Sequence, residues 1–149
     1  MCICPAYTFV GTAAAAEQCG YKLHLADVSA SDSALNPRSL ANRGDLDEVG
    51  LVVAVAPYGR PPDQAGCANF TRRTGVPVVI DAAASFEALL TNPLGAVGPT
   101  PVVLSFHATN VFSTVEGAPS SAPIRNGSQT RRARSTSASG AIASAAAPA

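Results

Sequence analysis

The residues in this chain that could carry chemistry fall in two stretches. Asp81 directly follows the apolar run Val76-Pro77-Val78-Val79-Ile80. Ser105, His107 and Asn110 lie in Ser105-Phe106-His107-Ala108-Thr109-Asn110-Val111-Phe112-Ser113-Thr114-Val115-Glu116-Gly117, itself preceded by Val102-Val103-Leu104. A carboxylate at the C-terminal end of a buried strand stands where open α/β sheets bind ligands. A strand-end Asp also serves as a helix cap or loop anchor. The amide nitrogen of Asn110 is delocalised into its carbonyl, so it cannot act as an amine nucleophile. His107, a single loop histidine, reads as an ordinary hydrogen-bonding residue.

These positions need a sheet to hold them, and the chain supplies its strands in alternation with helices. Leu51-Val52-Val53-Ala54-Val55-Ala56 is an unbroken apolar run stopped by Pro57, as expected of a strand covered on both faces. Lys22-Leu23-His24-Leu25-Ala26 alternates with period two and ends at Asp27. Thr8 is a candidate cap for an alanine-rich helix running to Cys19, with Gly20 as its stop. Pro37 is placed to begin a short helix through Asn42. Tyr58-Gly59-Arg60-Pro61-Pro62 reads as a turn, after which Asp63 caps a helix closed by Gly75. The passage through Asn92-Pro93 and Gly98-Pro99 reads as irregular. Strand, helix, strand, loop, strand predicts a three-layer α/β fold.

Composition narrows the class. The 149 residues carry formal net charge +0, are 47% hydrophobic and only 5% aromatic, and contain no Trp. That suits one globular domain with a core of Val, Leu, Ile and Ala, and it predicts neither a nucleic-acid nor a membrane partner. No apolar run reaches the roughly 18 to 20 residues that cross a bilayer, and the start of the chain lacks the pattern of a secretory signal. The expected location is cytoplasmic. Cys2, Cys4, Cys19 and Cys67 match no zinc-site spacing, so buried or strand-end thiols are expected and no metal.

The character changes after Gly117. Residues 118–149 are almost wholly Ala, Ser, Pro, Gly, Thr and Arg, with Ile124 and Ile142 the only larger apolar residues. Arg125, Arg131, Arg132 and Arg134 have no carboxylate beside them. Such a tail cannot bury enough apolar surface to offset its ordering entropy, and disorder is expected. A basic arm is the alternative reading. This bias is also what an out-of-frame reading of GC-rich DNA produces.

Ser105 to Gly117 closely resembles the cofactor-lysine segment of the DegT/DnrJ/StrS family, the pyridoxal-phosphate-dependent nucleotide-sugar aminotransferases. The resemblance spans about Pro5 to Gly117 and includes Pro5-Ala6-Tyr7-Thr8-Phe9-Val10-Gly11-Thr12, Tyr58-Gly59-Arg60-Pro61 and Asp81-Ala82-Ala83. It implies residues 1–117 as part of the large domain of a fold type I transferase, followed by the tail at 118–149. Segments before Pro5 and a smaller C-terminal domain are expected to be missing.

The family likeness also assigns roles. Pyridoxal 5'-phosphate is the implied cofactor. Asp81 would pair with its pyridine nitrogen, Ser105 would bind its phosphate, and Phe9 would stack on its ring. Phe9 could equally be an ordinary core residue. Ala84 occupies a position where relatives carry His or Gln against the cofactor's phenolic oxygen, and Ser85 is a possible substitute. Asn110 stands at the position of the Schiff-base lysine, so covalent attachment and turnover are not expected of this chain. The implied substrates are a nucleotide-linked keto-sugar and an amino donor, in sugar, polysaccharide or antibiotic biosynthesis, and the implied assembly is a homodimer. Two alternatives stay open: a non-catalytic remnant that binds pyridoxal or pyridoxamine phosphate, and an α/β interaction domain with no cofactor.

Overall fold

A computed structural model describes residues 1–61, 63–107, 110 and 120–121. Its centre is a six-stranded sheet in the order β2-β1-β3-β4-β5-β6. The strands are β1 (Cys2–Pro5), β2 (Leu23–Ala26), β3 (Leu51–Val55), β4 (Val78–Asp81), β5 (Val102–Val103) and β6 (Ser120–Ser121). The first five run parallel, and β6 pairs antiparallel with β5. Among the described residues five α-helices accompany them: α1 (Val10–Gln18), α2 (Pro37–Leu40), α3 (Gln64–Thr74), α4 (Phe86–Thr91) and α5 (Pro93–Ala96).

Side-chain alternation divides the core into two layers. Cys2, Cys4, Leu51, Val53, Val79 and Val103 pack with Ala15 and Ala16 of α1. Ile3, Val52, Val78, Ile80 and Val102 face the other way, against Leu40 of α2 and Cys67 and Phe70 of α3. Both faces of the sheet are therefore covered, which is why the strands read as continuous apolar runs. The three-layer α/β expectation holds. The small alanine face of α1 lets that helix lie close on the sheet.

Local signals explain most boundaries. The Asp63 carboxylate accepts the Gly66 amide at 2.8 Å to start α3, and Gly75 closes it at φ 76°. Asn36 caps α2 with Pro37 in its first turn. Thr8 does not cap α1. The helix begins at Val10 with Phe9 in the cap position, and the Thr8 hydroxyl lies 2.9 Å from that of Thr12.

The passage expected to be irregular contains α4 and α5. Asn92 accepts the Gly95 amide at 3.1 Å and Pro93 opens α5, the same Asn-Pro device that starts α2. Buried Gln64 ties this region to α3, donating to the carbonyls of Ala96 and Thr100 and accepting from the Thr100 amide. Of the tail expected to be disordered, only 120–121 lie within the described residues, where they form β6. The remainder of that expectation lies outside them.

Candidate functional site at the C-terminal strand ends

Parallel strands bring their C-terminal ends to one edge of the sheet. Register places Val55 of β3 opposite Asp81 of β4, and Asp81 opposite Val103 of β5. Ser105 lies two residues beyond Val103 and is buried. Asp81 and Ser105 thus close adjacent strand ends at the same edge.

Asp81 continues the face that carries Val79 and Val103, so its carboxylate meets α1. Thr12 Oγ1 donates to Asp81 Oδ2 at 2.8 Å, and the Ala83 amide donates to Oδ1 at 3.1 Å. Because the Thr12 proton points at the carboxylate, the Thr12 oxygen is the acceptor for the Thr8 hydroxyl. Thr12 is buried and anchors the carboxylate by a route the sequence reading missed. The only available signal was its helical spacing of four from Thr8.

At Ser105 the Oγ accepts the His107 amide at 3.2 Å, which leaves the hydroxyl proton able to donate elsewhere. The Asn110 side-chain amide donates to the Ser105 carbonyl at 3.3 Å, and the Asn110 backbone amide donates to the His107 carbonyl. Asn110 therefore folds back over the residue five positions before it. Phe106 of this segment meets Phe86 of α4 edge to face, with centroids 5.5 Å apart.

Phe9 is 79% exposed at the start of α1, not a core residue. Tyr7, Val10 and Tyr58 are exposed as well, and the Tyr7 and Tyr58 hydroxyls are in contact. These aromatics follow β1 and β3 and so rise from the same edge as Asp81. Ala84 is exposed on the loop after β4 and presents only a methyl group. Ser85 does not replace a polar contact there, because its buried hydroxyl donates to the Ala56 carbonyl at 2.9 Å.

On the face that carries Val79 and Val103, Cys2 and Cys4 of β1 have their sulfurs 3.8 Å apart. The contact with Cys4 and burial push the Cys2 thiol up, while the same contact pushes Cys4 down. All four cysteines are free thiols, and no cluster of three metal-ligating side chains occurs among the described residues. No described helix is long and apolar enough to cross a membrane.

This edge therefore presents an anchored carboxylate, a buried serine hydroxyl and exposed aromatic side chains. Lys22 is the sole lysine of the sequence, and it directly precedes β2, at the opposite edge of the sheet from Asp81.

Known proteins agree with this fold. The model of the DegT/DnrJ/EryC1/StrS aminotransferase family matches residues 1–138, past the Gly117 at which the sequence resemblance was expected to end. No curated protein matches the chain. A protein from Bacillus cereus described as a PLP-dependent aminotransferase superposes with TM-score 0.67 and 30% identity, over 78% of this chain and 32% of that one. DesI, solved in the presence of its TDP-sugar product, gives TM-score 0.64 and 28% identity over 78% and 30% of the two chains. The sugar aminotransferase CalS13 from Micromonospora echinospora shares the fold at TM-score 0.63 and 22% identity, over 78% and 33%. The chain spans about a third of the length of these structures. With the fold and the family match in agreement, the chain belongs to the DegT/DnrJ/EryC1/StrS aminotransferase family.

Proposed function

We infer that this chain is a cofactor-holding portion of a nucleotide-sugar aminotransferase-like protein, one that retains pyridoxal or pyridoxamine phosphate without a covalent bond and does not itself turn over substrate. The observation that supports this reading is that Asp81 ends β4 and Ser105 follows the neighbouring β5 at the same edge, with Asn110 folded onto Ser105. When bound, the cofactor supplies an electron-accepting ring. Asp81, anchored by Thr12, would hold the proton on the pyridine nitrogen. Ser105 would donate its hydroxyl proton to the phosphate, and Phe9 would cover one face of the ring and exclude water. Ala84 leaves the phenolic oxygen without a side-chain partner from its position. Asn110 offers an amide where an amine would be needed, so no residue here can exchange a proton and a covalent bond with the cofactor.

The substrates in this reading are a nucleotide-linked keto-sugar and an amino donor, met by the complete assembly. A second copy of the chain is the proposed partner. The exposed Tyr7, Val10 and Tyr58 are the apolar side chains such a copy would cover.

Absorbance with pyridoxal phosphate tests the reading, using a Lys22→Arg background so that no native lysine reacts. No band of covalent attachment is expected there, and Asn110→Lys in that background is expected to create one. An Asn110→Lys protein that stays colourless while remaining folded would contradict the assignment of position 110.

A further inference from the structure

A hollow among the described residues lies away from Asp81 and Ser105, on the other face of the sheet. It is a groove of about 820 Å³ between α2, α3 and the C-terminal half of β3. Its floor is apolar and belongs to the core: Leu35, Ala56, Cys67, Phe70 and Ile80 line it, and all five are buried. Its rim carries three arginines from three separate elements, Arg38 of α2, Arg60 of the turn after β3 and Arg73 of α3.

None of these guanidinium groups is paired among the described residues, where the single salt bridge is Arg43 with Asp45. Two carboxylates also line the groove, but each is committed to its own turn. Asp32 Oδ1 accepts the Ala34 amide at 3.1 Å, and Asp63 Oδ1 accepts the Gly66 amide at 2.8 Å. The Asp63 carboxyl lies so close over Gly66 that a Cβ there would clash with Oδ2. The three exposed guanidinium groups therefore have no protein partner among the described residues and face solvent. A guanidinium fork matches the oxygens of a phosphate or carboxylate. A concave apolar floor of this volume with a few convergent polar groups is the usual form of a small-molecule site.

We propose that this groove is a second binding site, distinct from the cofactor edge, for a small organic anion: an apolar body seated on Phe70 and Leu35, and a phosphate or carboxylate head held by Arg60 and Arg73 with Arg38 beside them. The arginines are exposed, so replacing them removes charge without opening the core.

Isothermal titration with phenyl phosphate and with benzoate tests the site and separates the two head groups. At least one of the two is expected to bind one to one. The Arg60→Gln/Arg73→Gln double variant is expected to weaken that binding at least tenfold, whereas Asp81→Asn leaves it within twofold. Inorganic phosphate is expected to bind at least tenfold more weakly than phenyl phosphate, because it lacks the apolar body. The proposal is overturned if neither probe binds saturably, if the double variant binds as tightly as the parent, if inorganic phosphate binds equally well, or if Asp81→Asn causes the loss. The last result would assign the anion to the cofactor edge, so the groove and the cofactor reading fail separately.

Discussion

Thr12 Oγ1 lies 2.8 Å from Asp81 Oδ2, joining the first buried helix to the end of a central strand across 69 positions of sequence. The bond orients the carboxylate before any ligand arrives. It also makes α1 part of the site, since the hydroxyl of Thr8 completes the chain behind it.

Thr12→Val, which keeps the shape and removes the hydroxyl, is expected to destabilise the fold by about 1–2 kcal/mol, the usual value of a hydrogen bond to a charged group reduced for the partial exposure of Asp81. Thr12→Ser should recover most of that loss. Urea denaturation of the three proteins measures it, and equal midpoints would show that the bond contributes nothing.

Gly75 closes α3 in the left-handed region at φ 76°, with open space where a Cβ would go. Gly75→Ala is therefore expected to cost about 1 kcal/mol through backbone conformation alone. Gly75→Asn should cost less, because asparagine enters that region more readily. A thermal midpoint unchanged by Ala would refute this account of how α3 stops.

Burial, with a smaller contribution from the Asp63 carboxylate, pushes the Cys67 thiol from 9.0 up to about 12. The folded chain therefore holds this proton more tightly than the unfolded chain. Its contribution to stability is fully present below about pH 9 and is lost as the pH rises towards 12. Urea denaturation at pH 8, 9 and 10 should show a steeper decline for the parent than for Cys67→Ala. Parallel declines would contradict it.

The central strands, α3 with both its ends, and the position of Asp81 were legible because each depends on a local pattern. An apolar run stopped by Pro57, an aspartate cap and a closing glycine all act within a few residues. Three features were not legible. β1 is only four residues long and ends in proline, so Cys2-Ile3-Cys4 registered as buried thiols without showing the strand that buries them. The α4–α5 passage was read through its prolines and glycines, although Asn92-Pro93 is a helix start; Gln64, about thirty residues away, secures the region. The Thr12–Asp81 bond depends on helix α1 crossing β4, which no periodicity in one segment encodes. Ser105 and Asn110 were legible only through family likeness, since a loop serine and asparagine five apart carry no pattern of their own.

The most direct test of the central claim is calorimetric titration of the full chain with pyridoxamine phosphate, which needs no lysine to bind. Saturable one-to-one binding is predicted, weakened at least tenfold by Asp81→Asn and by Ser105→Ala in proteins that remain folded. Absence of binding, or binding that both substitutions leave unchanged, would contradict the assignment of these two strand ends to a cofactor site.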